Sequence, residues 1–517
     1  MTVVLTGRDL VLDEVLRIAR GREPVVLDPG ARGRMERTHA IVLETMAGGS
    51  PIYGTTTGVG VLKRVDVGTA EAAGYSSWML AHHLVGQGPA APPDVVRATI
   101  LRVANHFAED SPGVRPELAD RFIAALNGDE APLVHAIGSV GQADLAPLAE
   151  LASAVVGDLE LEPGEGTALL DNNAFSTAWA ALAIADTATL LDAMDVAGAV
   201  SLDGFAANPT MIHPAIGRVR PYPGIQATLA RLAELLAGSA IHEPGVPRNL
   251  QDPLSFRNLP QVHGACRDAL AHVEGVLAIE LNANQGNPIV VPEEDRVVSV
   301  ANFEIMPLAA ALDYLRVVLA TALGVATERI VKSLYTPWSG LPTGLAPDGG
   351  TAHAGLTYLS LAAQSLAVEG RLLAGPVSFE LTSTSHAEGI EDRTTMAPLA
   401  ARRLAEMVEL GGTIAAIELA VGSQAVELRG HRPGAGTGRA VAAVRRHVPF
   451  LAMRDQVPDV HGLAAAVRGG EIARAALGGT AREALGGTAR ESLGGTTRES
   501  LGADGAASRG NGDVDRP

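Results

Sequence analysis

A single cysteine, Cys266, stands in 517 residues, which excludes an intramolecular disulfide and any multi-cysteine metal site. Aromatic residues are also scarce, at 3% against 47% hydrophobic residues overall. The core must therefore be built from aliphatic side chains and alanine, a mixture that favours packed helices over a β-sandwich. Positive charge is short as well. Lys and Arg number 40 against 58 Asp and Glu, giving a net charge of −18. That balance argues against nucleic acid or an anionic membrane surface as a partner. The first nine residues lack a basic region followed by an apolar one, and the longest alanine-rich segments are interrupted by Asp, Glu or Arg. Neither a signal peptide nor a membrane span is expected, and a cytoplasmic location is the default.

Against these absences stands a glycine-rich stretch, Gly138-Ser-Val-Gly-Gln-Ala-Asp144, feeding an apolar run of Leu145, Leu148, Leu151 and Val155 at helical spacing. Gly138 and Gly141 bracket a tight turn that can take positive φ, and Asp144 falls at the N-cap position. Such a turn presents unpaired N–H groups and partial positive charge at a helix start. Gly141, Gln142, Ala143 and Asp144 are thus a candidate anion or oxyanion site. The plain alternative is a loop-to-helix junction without chemistry.

Other segments carry reactive side chains. The loop Pro51-Ile-Tyr-Gly-Thr-Thr-Thr-Gly-Val-Gly60 holds Tyr53 either as a staple or with its phenol facing a cleft. His82 and His83 precede Gly86-Gln-Gly88; neighbours on a helix point in different directions and do not chelate. Pro253 and Pro260 restrict the backbone around Arg257, whose guanidinium suits a bidentate carboxylate or a surface ion pair. Adjacent carboxylates such as Glu391-Asp392 on a loop are ordinarily solvated. From Ala473 an eight-residue unit, Ala-Arg-Ala-Ala-Leu-Gly-Gly-Thr, recurs with small changes, and Gly-Gly interrupts each unit before a helix can nucleate. Residues 468–517 read as a flexible or transiently helical appendage.

The wording of these motifs resembles the aromatic amino acid ammonia-lyases, histidine ammonia-lyase above all, over roughly residues 5 to 465. The resemblance implies an all-α fold: a central bundle of long helices over about 201–467, and a loop-rich N-terminal part, about 1–200, that carries the site. It also implies a homotetramer with active sites shared between subunits and a small-molecule, amino-acid-like substrate. Tyr53 matches the family's catalytic base in Tyr-Gly-x-x-Thr-Gly-x-Gly. His83 matches a substrate-facing histidine, with His82 in place of a serine. Arg257 and Gln251 match the Gln-Asp-Pro-Tyr-Ser-x-Arg motif, whose arginine takes the substrate carboxylate, although its tyrosine is Leu254 here. Phe303 sits at a pocket position, and Glu391 matches the glutamate that faces the substrate ring in histidine ammonia-lyase, with Ile390 in place of a glutamine.

Two departures matter more. The family's Ala-Ser-Gly, which cyclises and dehydrates to an electrophilic methylidene-imidazolone, is Gln142-Ala143, one residue shorter. It has no serine to dehydrate and no glycine nitrogen to attack. The asparagine that contacts that group and the substrate is Asp171, which exchanges a neutral amide for a carboxyl. The sequence therefore predicts a member without the methylidene-imidazolone and without a metal. Three readings stand open: a lyase, isomerase or cyclase using Tyr53 as acid/base and Arg257 as anion clamp; a non-catalytic member that binds a ligand or a paralogue; and a conventional ammonia-lyase.

Overall fold

The computed structural model describes residues 2–68, 71–347, 354–379, 389–452 and 456–478. Most of these are helical. Strands among the described residues form three separate two-stranded pairs. Val3–Leu5 runs parallel to Val25–Leu27 with Val3 opposite Val25, Gln87–Ala90 runs antiparallel to His135–Ile137, and Ile289–Val291 runs antiparallel to Arg296–Val298.

The centre is a bundle of four long helices, Ala174–Phe205, Leu259–Glu280, Met306–Leu334 and Ala397–Arg429. Ala174–Phe205 lies against Ala397–Arg429, which packs on Met306–Leu334, and that helix packs on Leu259–Glu280. Ala174–Phe205 is buried almost all round, as an apolar helix at the middle of a large core must be. Small residues let the axes approach closely: a Cβ on Gly204 would lie 2.9 Å from the carbonyl oxygen of Gly422. Charges within the bundle are paired. Arg329 Nε lies 2.6 Å from Glu418 Oε1, which also accepts from Ser201, and Asp195 accepts from His263 and Arg267.

Several boundaries differ from expectation, the sequence pattern predicting helices near Arg34–Met46, from Ala352 to Leu373 and from Arg402 to Val421. The helix expected near Arg34 begins at Pro29, because Asp28 accepts the Ala31 N–H at 2.8 Å and Pro29 opens the first turn. Gly30 and Gly33 masked that start. The last bundle helix exceeds its expected span, Arg402–Val421, at both ends. The helix expected from Ala352 begins at Leu359, and residues 348–353 lie outside the described residues. Glu165–Phe205 and Met306–Leu334 are long and apolar enough to cross a membrane by length and composition, contrary to the sequence reading. Their most apolar windows are 83% and 61% buried inside the protein, so that surface is spent on the bundle. The described part of the first octapeptide unit, Ala473 to Gly478, also belongs to the fold. Glu471–Leu477 is a helix that buries Ile472, Ala473, Ala476 and Leu477 against Ala435–Val444 and the bundle. The boundary at 467 is therefore too early, and residues 479–517 lie outside the described residues.

Candidate active site

The glycine-rich turn has the predicted backbone: φ is +143° at Gly138, +84° at Gly141 and +57° at Ala143. A Cβ on Gly141 would fall 2.1 Å from Thr395 Oγ1, so only glycine fits there. The helix Leu145–Val156 follows with Asp144 as N-cap residue, but the Asp144 side chain does not cap it. That carboxyl is fully buried and accepts from Ser139 Oγ at 2.7 Å, Ser176 N at 2.7 Å and Ser176 Oγ at 2.8 Å. Burial raises its pKa and these hydrogen bonds oppose the rise.

The turn is not the open anion cradle that the sequence suggested. Gly141 N–H donates to Ser139 Oγ and Asp144 N–H to the Asn172 carbonyl, so both are committed internally. Of the four residues named, only Gln142 lines the neighbouring cavity. Gln142 Nε2 donates to the Arg393 carbonyl. Ala143, 2% exposed, brings a methyl group where a dehydratable hydroxyl would be needed. Ser139 Oγ, the nearest hydroxyl in sequence, is held by Asp144 and by the Gly141 N–H.

The cavity measures about 900 Å³, within the range of small-molecule sites. Tyr53, His83, Asp171, Phe303 and Glu391 all line it, brought together from distant parts of the chain. Tyr53 is carried by the predicted loop, which closes on itself through Gly58 N–H to Val65 O and Val67 N–H to Thr56 O. Its phenol oxygen accepts the Gly60 N–H at 3.0 Å. His83 ends the helix Ala72–His82 as its C-cap, and its Nδ1 meets the Met79 carbonyl at 2.7 Å. That contact fixes Nδ1 as the protonated nitrogen and leaves Nε2 as the acceptor. Asp171 follows the short helix Glu165–Leu170 and is hydrogen-bonded by Asn287, whose Oδ1 is occupied by the Val300 N–H.

Electrostatics in the cavity run toward neutral acids. Burial holds Asp171 well above the usual carboxylate range, and the nearby Glu391 pushes the same way. A protonated Asp171 offers one donor and one acceptor, as an amide does, so the exchange of asparagine for aspartate changes less than the sequence implied. Burial likewise raises the Tyr53 phenol, with the Gly60 N–H opposing and Asp171, Glu391 and Tyr75 adding to the rise.

Sequence reasoning missed Tyr75 and Trp78, which line the same cavity. Their signal was present: Tyr75, Trp78, Met79 and His82 share one face of a helix at the i, i+3, i+4, i+7 spacing. Two predicted residues are not brought in. Gln251 and Arg257 are exposed and do not line the cavity, and Arg257 Nε donates to the Asp252 carbonyl at 2.9 Å.

Comparison with known proteins gives this arrangement its relatives. The family model described as aromatic amino acid lyase matches residues 10–162 and 157–446. The chain belongs to that family. Histidine ammonia-lyase of Deinococcus radiodurans is 34% identical, with 92% of this chain and 95% of the relative covered. The Symbiobacterium thermophilum histidine ammonia-lyase is also 34% identical, with 92% and 98% covered. Among solved structures, the ergothioneine-degrading enzyme Ergothionase from Treponema denticola superposes with TM-score 0.85 at 26% identity, covering 92% of this chain and 99% of that one. The tyrosine aminomutase from Streptomyces globisporus gives 0.84 at 26%, covering 92% and 98%. The family thus spans ammonia-lyase and aminomutase names on one all-α fold, the fold class that the sequence predicted.

Proposed function

We propose that this member of the aromatic amino acid lyase family is an enzyme that works without a methylidene-imidazolone, by acid/base chemistry centred on Tyr53. Its substrate is an amino-acid-like carboxylate whose leaving group is already activated, such as an alkylated ammonium, so that elimination needs no prosthetic electron sink. The observation that carries this reading is the turn at Gln142-Ala143, with a buried methyl group and no hydroxyl to lose. A lone tyrosine base contributes about 10² to 10⁴ in rate, which is insufficient against a weakly acidic β-proton unless the leaving group departs readily. The similarity to an ergothioneine-degrading enzyme supports a substrate outside the common amino acids.

The cavity's charges support a cationic substrate. Asp171 and Glu391 face Tyr53, and Arg393 is already paired with Glu304 at 3.1 Å. A cation among these acids and beside the rings of Tyr53, Tyr75 and Phe303 is attracted to both, and it lowers the raised phenol pKa toward a working base. Gln251 and Arg257 complete the cavity of a neighbouring copy in a homotetramer, where Arg257 clamps the substrate carboxylate. The exposed Leu250 and Leu254 beside them, 89% and 61% accessible in one chain, support an interface there. A monomeric mass by sedimentation would remove that part.

Mass spectrometry of the proteolytic peptide spanning residues 138–144 tests the central claim. The unmodified mass is expected, and a peptide short by one water overturns the reading. Ordinary ammonia elimination is the second reading, favoured by the 34% identity to histidine ammonia-lyases; urocanate formed from added histidine would establish it.

A further inference from the structure

Two consecutive backbone N–H groups of the catalytic loop are each held by a phenol. Val59 N–H donates to Tyr75 Oη and Gly60 N–H donates to Tyr53 Oη, both at 3.0 Å. The two oxygens therefore lie within roughly 10 Å of each other, given the span of one residue. Val59 is extended (φ −113°, ψ 159°) and Gly60 takes φ +55°, so the direction of the Gly60 N–H depends on where the preceding residue is pinned. Tyr75 sits on the regular helix Ala72–His82, whereas Tyr53 sits on the loop itself. The loop's internal bonds hold its two limbs together, and the Val59–Tyr75 bond fastens its tip to a helix.

We propose that Tyr75 is a positioning residue for Tyr53: it anchors Val59 so that the Gly60 N–H is delivered to the Tyr53 phenol oxygen. The inference rests on the reading of Tyr53 as the base. An N–H donated to that oxygen favours phenolate over phenol, and among the backbone groups around Tyr53 it is the contact that opposes the effects of burial. Asp171 and Glu391 face Tyr53 from other elements and act against ionisation, as does the charge of Tyr75 itself; the Gly60 N–H outweighs the Tyr75 charge, so loss of the anchor sets the direction of the change. The cavity also holds Asp66 and Glu71 near the loop, His82 and His83 on the Tyr75 helix, and Arg393. The bond that holds the Val59 N–H itself is the one to Tyr75. Removing the Tyr75 hydroxyl leaves Val59 N–H to solvent, lets the tip shift and loosens the bond that makes Tyr53 a usable base.

The test needs no substrate. Phenolate absorbance is followed against pH for the full chain and for Tyr53→Phe, and their difference isolates Tyr53. The same difference is then taken in a Tyr75→Phe background, with circular dichroism confirming the fold at each pH. The Tyr53 midpoint is expected to rise by about one unit, a tenfold weaker tendency to ionise. A signal absent over the range where the wild-type transition is complete also counts as a rise. Val59→Pro, which deletes the donor instead of the acceptor, is expected to move the midpoint the same way. An unchanged midpoint in folded Tyr75→Phe overturns the proposal. Full turnover by Tyr53→Phe would instead overturn the role of Tyr53 as base, while the titration would still report whether Tyr75 positions it.

Discussion

The bundle and the cavity treat buried charge in opposite ways. In the bundle, acids meet bases: Glu418 is clamped by Arg329, and Asp195 by His263 and Arg267, which hold the Asp195 carboxyl far below its usual range despite burial. In the cavity, acids meet acids. Asp171 lies near Glu391, both face a phenol, and the burial of Asp171 and Tyr53 is answered by hydrogen bonds from Asn287 and Gly60. The first arrangement fixes helices in register; the second pushes Asp171 and Tyr53 toward their protonated forms. Acids with raised pKa gathered in a cleft are therefore the better guide to function, and the fully paired clusters the better guide to fold.

That contrast can be broken from either side. Tyr53→Phe is expected to lower turnover of the true substrate by about 10² to 10⁴ while leaving the melting temperature nearly unchanged. Kinetics together with thermal unfolding checks both halves, and a fully active variant removes Tyr53 from the mechanism. In the bundle the effects should exchange places. Glu418→Gln leaves the buried Arg329 charge uncompensated and is expected to destabilise the fold by about 3 to 5 kcal/mol, measured by denaturant unfolding.

The smallest effect sharpens the comparison most. Asp171 has a raised folded pKa, so the folded chain binds its proton more tightly than the unfolded chain does. Stability contributed by this group is therefore full below the ordinary carboxylate range and falls as pH climbs from there toward the raised value. Asp171→Asn abolishes that loss. It is expected to raise stability at neutral pH by roughly 1 to 2 kcal/mol and to change little near pH 4. Equal effects at both pH values would show that Asp171 ionises freely in the fold.

Much of the site was legible as words. Tyr53, His83, Asp171, Phe303 and Glu391 were named from motifs scattered over the chain, and the fold brings all five to one cavity. The oxyanion reading of Gly141–Asp144 lost two of its donors because a sequence shows donors but not their acceptors: Ser139 and Asn172 had already taken the Gly141 and Asp144 N–H groups. Tyr75 shares a helix face with Trp78, Met79 and His82, a signal for the cavity that was overlooked, whereas its hydrogen bond to a backbone nitrogen sixteen residues away is recorded in no side-chain pattern. The early tail boundary has a similar cause. Ala473–Leu477 carries the repeat's wording, yet packing against Ala435–Val444 orders it where isolated propensity would not.

By itself the sequence pointed to helices, since abundant aliphatic residues and alanine with few aromatics favour packing helices, and its family resemblance implied the all-α class. It also determined that Gln142-Ala143 stands where the family has Ala-Ser-Gly, on which the proposed function rests. Tertiary structure alone decided which acids are pushed toward their protonated forms, which N–H groups are taken and which side chains share a cavity. Those properties depend on burial and distance, and the chain acquires both only when residues hundreds of positions apart come into contact.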